Sequence, residues 1–460
     1  MQLRIGVPSL HGSIRAPSSK SHTIRALICA ALADSPSLIT APLVSADTAA
    51  AVAVLRQLGS EIRIMQSDPQ VLEVCPPPQG LPSFLSLNRR PAAGTVPEIV
   101  LDLGNSGSLL YFLGVVLAAA EVPVCLTGDR SLQGRPVEPL TALYRQAGIR
   151  YSVRKDGTGA AFPPIRFCGP LQAGNFQLTG PFSQPVTGLL LTAPLLHGTT
   201  RIVFKQAGEL PYLRMTCGWM QTAGISFAAR NGRYFEISGP QRYRAFSETI
   251  PGDWSSALFP LTAAVICNTA LTICNLNPAD SQGDSQAVDI LRSMGADIRC
   301  DSAARTVSAV PITGSLQGGT FDCAGIPDAV PILAAAALFC SGTTRLINAG
   351  VCRFKECDRL QASAEELQKF GAHINAGIDF LKIEGSGGQG LYPATVNSRG
   401  DHRMAMMLTV AACGIAARIH TVSGTAPPFS YVEDTECIGV SYPGFIRDMN
   451  AAGAVCSGRI

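Results

Sequence analysis

"LRQLGSEIRI", residues 55–64, reads as the end of one element and the start of the next. A helical pattern runs into Gly59, and isoleucines then alternate with charged residues, as in a strand with one buried face. Glycine suits the join, because the residue just past a helix C-terminus often takes the left-handed backbone. The same element recurs as "YRQAGIRYSV", "MQTAGISFAA", "LRSMGADIRC", "LQKFGAHINA" and "MNAAGAVCSG", with its glycine at 148, 224, 295, 371 and 453. The six glycines are 89, 76, 71, 76 and 82 positions apart. A repeated helix–glycine–strand unit predicts an α/β fold of six similar units.

Upstream of each glycine lies a second recurrent element. It is a polar knot, a helix of Ala, Leu and Val, a turn and a short β-rich segment such as "PVCLTG", "TTRIVF", "ALTICN" or "TTRLIN". The knots are "SSKSHTIR" (18–25), "GNSGS" (104–108), "PFSQP" (181–185), "PGDWSS" (251–256), "IPDA" (326–329) and "SRGDHR" (398–403). Ser, Asp and Asn cap helices in any protein. These knots also carry Lys, Arg, Gln and His, and helix N-termini favour anions. If the units pack with those ends inward, the knots converge on one cleft suited to anionic ligands.

The 460 residues exceed what one core usually supports, so about two domains are expected. With 47% hydrophobic and 15% charged residues, the composition is that of a well-buried globular enzyme. A net charge of +3 with no basic block argues against nucleic acid as a partner. The fifteen cysteines are scattered singly, with no C-x-x-C, and read as reduced, mostly buried residues of a cytoplasmic protein. "MQLRIGVPSLHGSIRAP" alternates like a strand and lacks the pattern of a signal peptide. "SALFPLTAAVICNTALTIC" is broken by Pro260 and Asn268, which fits buried core better than a membrane span.

The knots and the segments around them match a family in order. Lys20, Ser21 and Arg25 look like a K-S-x-x-x-R element, and "GNSG" with Asn105 and Gly107 like G-N-x-G. "LTGDRSLQGRP" supplies Arg135; Ser183 and Gln184 precede a P-Y pair at Pro211 and Tyr212. "IPDA" gives Asp328, "RFKECDRL" gives Lys355, Glu356 and Arg359, and "DHRMAM" gives Asp401, His402 and Arg403. Over essentially its whole length the chain resembles the 5-enolpyruvylshikimate-3-phosphate synthase family, the 3-phosphoshikimate 1-carboxyvinyltransferases.

The resemblance implies a two-domain, inside-out α/β barrel with three units per domain. One domain spans 19–250 and the other 1–18 plus 251–460, with hinges near "APSSK" and "IPGDW" and the active site in the cleft between them. It implies transfer of the enolpyruvyl group of phosphoenolpyruvate to the hydroxyl of shikimate 3-phosphate, with release of phosphate and without metal or organic cofactor. Lys20, Asp328 and Glu356 would be catalytic. Lys20, Asn105, Gly107, Arg135, Gln184, Arg359 and Arg403 would bind phosphoenolpyruvate. Ser21, Arg25, Ser183, Gln184, Tyr212, Asp328 and Lys355 would bind the acceptor. The protein would act as a cytoplasmic monomer, with neither nucleic acid nor membrane as partner.

Four positions depart from the family pattern. Phe182 and Glu209 stand where donors usually hold the acceptor's phosphate, and a carboxylate there would repel a dianion unless it pointed away. Tyr111 and Val440 stand where the family carries cations for phosphoenolpyruvate. The departures leave two alternatives: an enolpyruvyl transferase acting on an unphosphorylated cyclitol, and a catalytically silent binding protein. Retention of Lys20, Asp328 and Glu356 argues against the second, since a binder has no need of proton donors.

Overall fold

All six glycines of the repeated element adopt positive φ, between 68° at Gly148 and 103° at Gly295, in a computed structural model that describes residues 1–78, 80–81, 97–206, 208–425 and 428–459. Each closes a helical segment and is followed by the strand or extended segment that the pattern predicts. The chain divides into two compact units, Ser18–Ile250 and Met1–Pro17 with Pro251–Ile460.

In Ser18–Ile250 three four-stranded sheets share one topology. Their strand orders are Ser247–Thr249, Ser37–Thr40, Val71–Cys75, Glu61–Met65; then Ile99–Asp102, Pro123–Thr127, Ala161–Cys168, Arg150–Lys155; and Asn175–Thr179, Gly198–Lys205, Tyr234–Gly239, Ala228–Arg230. In each, the first pair is parallel and the next two pairs antiparallel. The helices Lys20–Leu32, Gly107–Val116 and Gln184–Thr192 are buried almost all round, whereas the strands alternate buried and exposed residues. Apolar helices inside and half-exposed sheets outside are the inside-out arrangement the family resemblance implied. Gly188 makes the helix packing possible, because a Cβ there would lie 2.6 Å from the carbonyl oxygen of Tyr111.

The unit Met1–Pro17 with Pro251–Ile460 repeats that topology three times, around the helices Trp254–Cys267, Val330–Leu338 and His402–Ser423, with a fifth short strand, Thr320–Asp322, in the sheet beside Val330–Leu338. The sheets stay separate rather than closing into a continuous barrel. Two local expectations change. The N-terminal run is two short strands, Gln2–Ile5 and Ser13–Arg15, which join different sheets. Pro260 does not break its helix: it lies inside Trp254–Cys267, whose buried surroundings hold the helix together, and Asn268 ends it in the left-handed conformation. His402–Ser423 is long and apolar enough to cross a membrane, but 67% of its most apolar stretch is buried against the protein.

Candidate active site

The six polar knots all open buried helices, so their functional side chains are fixed by backbone that the core cannot spare. In the unit that carries both chain termini, Asp401 caps His402–Ser423, accepting from the amides of Arg403 (2.8 Å) and Met404 (3.4 Å). The same carboxylate binds Arg359, from Nε at 2.7 Å and from a terminal nitrogen at 3.3 Å. Arg359 opens the helix Arg359–Gln368 and is 1% exposed. Its remaining bonds go to Asp328 at 2.8 Å and Glu356 at 2.7 Å. Burial opposes its charge, but Asp401, Glu356 and Asp328 outweigh burial and hold Arg359 charged well above the usual guanidinium range.

Asp328 also receives Arg403 at 3.0 Å, with the Lys355 ammonium 4.0 Å away. Three cations and three carboxylates thus interlock within one unit, with Asp328 and Glu356 retaining 14% and 12% exposure. Such a cluster is rigid, because planar guanidinium groups bonded on two sides leave little freedom. Asp358, Arg359's neighbour in sequence, is not its ion-pair partner: Asp358 caps the same helix and pairs with Arg353. His402, a helix-start residue, is buried beside Asp401.

In Ser18–Ile250, Lys20 starts the first helix and its ammonium meets Asp47 at 3.0 Å. Arg25, one turn on, is buried and donates to Thr216 Oγ1 (2.9 Å) and to the carbonyls of Ser21 (3.0 Å) and Tyr212 (3.3 Å). Its guanidinium lies over the Phe112 ring, 4.9 Å from the centroid, and burial lowers its pKa to about 10. Arg135 donates to Asn105 Oδ1 and, at 3.1 Å, to Ser131 Oγ, while Asn105 donates to Asp129 at 2.9 Å. Gly107 leaves room for this arginine: a Cβ there would come within 3.2 Å of it. Gln184 opens the helix that begins just after Ser183.

Glu209 does not point away from Ser183. It is 3% exposed, in the left-handed conformation at φ 52°, and one carboxylate oxygen accepts from Ser183 N at 3.0 Å and Ser183 Oγ at 2.9 Å. Phe182 instead lines a hollow with Leu143, Gln146, Gln177 and Phe204. Tyr111 is buried near Arg135 and bonds the carbonyl of Pro136, and Val440 ends the short helix Thr435–Val440. No cluster of His, Cys, Asp and Glu among the described residues is arranged to hold a metal ion.

Residues 6–449 match the family of EPSP synthase (3-phosphoshikimate 1-carboxyvinyltransferase). The chain belongs to that family. A 3-phosphoshikimate 1-carboxyvinyltransferase of Ruminiclostridium cellulolyticum is 36% identical over 456 residues, covering 98% of this chain and 99% of that protein. Its namesake in Acetivibrio thermocellus is 34% identical, with 99% of each chain covered. Among solved structures, EPSP synthase from Acinetobacter baumannii has the same fold, with a TM-score of 0.75 at 23% identity and full coverage of both chains. So does the enolpyruvyl transferase NikO from Streptomyces tendae, at 0.74 and 18% identity over 99% of this chain and 98% of that one.

Within each unit the family's motif residues fall into connected groups. Lys355, Asp328, Glu356, Arg359 and Arg403 form one, and Ser21, Arg25 and Tyr212 another. Asp401 is legible as a motif residue, but its anchoring of Arg359 is not, and neither are the partners Asp47, Asp129 and Thr216. A buried carboxylate facing a motif cation leaves no local periodic signal, because its partner lies 27 residues away for Lys20 and Asp47 and 42 for Arg359 and Asp401.

Proposed function

We propose that this chain transfers the enolpyruvyl group of phosphoenolpyruvate to the hydroxyl of shikimate 3-phosphate, releasing phosphate, as the names of its relatives describe for theirs. The observation that carries the reading is the Arg359–Asp328–Glu356–Arg403 cluster, where fixed cations adjoin partly exposed carboxylates. Phosphoenolpyruvate brings a carboxylate and a phosphate, and arginine recognises both through paired N–H donors.

Addition needs a proton on the methylene carbon and loss of one from the acceptor hydroxyl; elimination then removes a methyl proton and expels phosphate. Asp328 is assigned to the acceptor hydroxyl, and Glu356 and Lys20 to the proton at the methylene carbon. Arg359, Arg403, Arg135 and Lys20 offset the charge of phosphoenolpyruvate, and Asn105, Gly107 and Gln184 complete its site. Ser21, Arg25, Ser183, Gln184, Tyr212 and Lys355 are assigned to the acceptor. The protein is proposed to act as a cytoplasmic monomer, the compartment resting on fifteen cysteines that are all free.

The test is phosphate release with phosphoenolpyruvate, comparing shikimate 3-phosphate with shikimate. Saturable turnover that requires the phosphorylated acceptor is expected. Equal rates with both acceptors, or none with either, would overturn the assignment. Glu356→Gln should abolish turnover while leaving substrate binding measurable by calorimetry.

A further inference from the structure

Glu366 is a fully buried carboxylate that the assignments above do not use. It lies on the helix Arg359–Gln368, about two turns beyond Arg359 and on the same face. One of its oxygens accepts from Arg399 Nε at 3.0 Å and from a terminal nitrogen of the same guanidinium at 2.8 Å. The other accepts from the amide of Asn397 at 2.8 Å and from the Lys369 ammonium at 2.7 Å. Lys369 reaches it from the end of its own helix, whereas Asn397 and Arg399 belong to the segment that leads into Asp401.

That segment is knit internally. Arg399 N donates to Asn397 Oδ1 at 2.7 Å, Gly400 N to Ser398 Oγ at 3.1 Å and Asp401 N to the Ser398 carbonyl at 3.0 Å. At its end Asp401 holds Arg359, at 2.7 and 3.3 Å. Residues 397–401 are thus fastened twice to one helix, by Asp401 at its first residue and by Glu366 about two turns later. Arg399 itself sits in the left-handed backbone at φ 57°, where a residue other than glycine, asparagine or aspartate is uncommon and carries a cost. What an arginine adds there is its guanidinium, bonded to Glu366 and, at 2.8 Å, to Glu365. Burial opposes the ionisation of Glu366, but Lys369, the Asn397 amide and Arg399 outweigh burial and hold the carboxyl below the usual carboxylate range. The pairing is therefore charge-assisted, and stronger than a neutral hydrogen bond.

We propose that Glu366 and Arg399 are positioning residues for the phosphoenolpyruvate site. Their ion pair fixes residues 397–401 on the helix Arg359–Gln368, so that Asp401 holds the Arg359 guanidinium in a single orientation. Without the pair the segment slackens, Arg359 is held less firmly, and the affinity for phosphoenolpyruvate falls. The inference rests on the assignment of Arg359 to phosphoenolpyruvate, and its test separates the two.

The experiment is steady-state kinetics of the full chain with phosphoenolpyruvate and shikimate 3-phosphate, beside urea denaturation of each variant. Arg399→Gly removes the guanidinium and suits the left-handed backbone, so its denaturation midpoint should stay close to the parent's. Its KM for phosphoenolpyruvate should nevertheless rise about tenfold, because a small misplacement of a binding group is costly, while KM for shikimate 3-phosphate should change by less than about twofold. Glu366→Gln should show the same split, and Arg399→Lys, which keeps a charge but not the planar fork, should fall between. A merely structural pair would lower the midpoint and leave both KM values where they are. An unchanged KM for phosphoenolpyruvate in Arg399→Gly, or an equal rise for both substrates, would overturn the proposal. If Glu366→Gln fails to fold, as circular dichroism would reveal, Arg399→Gly decides alone, at a side chain 43% exposed. Arg359→Lys tests the underlying reading: an unchanged KM for phosphoenolpyruvate there would remove Arg359 from that site and the proposal with it. A raised KM there beside an unchanged one in Arg399→Gly would overturn the positioning role alone.

Discussion

Replacing Asp401 by alanine should melt the unit that contains it well before it disables anything more local. The carboxylate is fully buried and serves two purposes: it accepts two charge-assisted bonds from Arg359 and caps the helix His402–Ser423. Removing one partner of a buried ion pair costs about 3–5 kcal/mol. The lower end applies, because Asp328 and Glu356 still face the arginine. Loss of the cap adds about 1 kcal/mol, for a total of about 4 kcal/mol. In a unit of about 230 residues, where 1 kcal/mol moves the midpoint by about 2–4 °C, the transition should fall by about 8–16 °C. Trp254 is buried in this unit and Trp219 in the other, so tryptophan fluorescence in a Trp219→Phe background follows the right transition. Asp401→Asn keeps a cap acceptor without the charge and should fall between. A midpoint within about 2 °C of the parent for Asp401→Ala would correspond to less than about 1 kcal/mol and refute the reasoning.

Glu209→Gln should lower KM for shikimate 3-phosphate about tenfold, equivalent to about 1.4 kcal/mol, by removing a negative charge from the donors of Ser183; initial-rate measurements check it, and an unchanged or higher KM would show that the carboxylate does not compete with the acceptor. Gly188→Ala should cost about 1–3 kcal/mol by forcing apart two packed helices, visible as a lower denaturation midpoint in urea. The Asp284 carboxyl, raised by burial from 3.8 to about 7, binds a proton in the native state that the unfolded chain releases. Its contribution is therefore complete below about pH 4 and lost toward pH 7, at about 1.4 kcal/mol per pH unit. Chemical denaturation across that range should give the wild type a downward slope relative to Asp284→Asn, and parallel curves would contradict it.

The fold was readable because its signals are local and repeated. A glycine that needs positive φ, placed between a helical and an alternating pattern, marks six units without reference to anything distant. Motif cations were readable for the same reason, since "SSKSHTIR" and "DHRMAM" put them at helix starts. What could not be read was which carboxylate each cation meets. Glu209 shows the difficulty: its charge suggested repulsion or a turn away from the site, whereas it accepts two bonds from Ser183. Pro260 shows the opposite case, in which burial overrides a strong local preference.

The strand Gln2–Ile5 lies between Ser430–Glu433 and Cys456–Arg459 in its sheet, pairing with both. Gln2–Ile5 thus cannot complete its pairing until more than 400 later residues have been synthesised. At about 5–20 residues per second, synthesis holds the strand incompletely paired for roughly 20–90 s. During that time the continuous segment Ser18–Ile250 is already complete and can fold first. A circular permutant that fuses the two ends and opens the chain at the exposed Ile378 turn would place all three strands in one continuous stretch, and should shorten the slowest refolding phase.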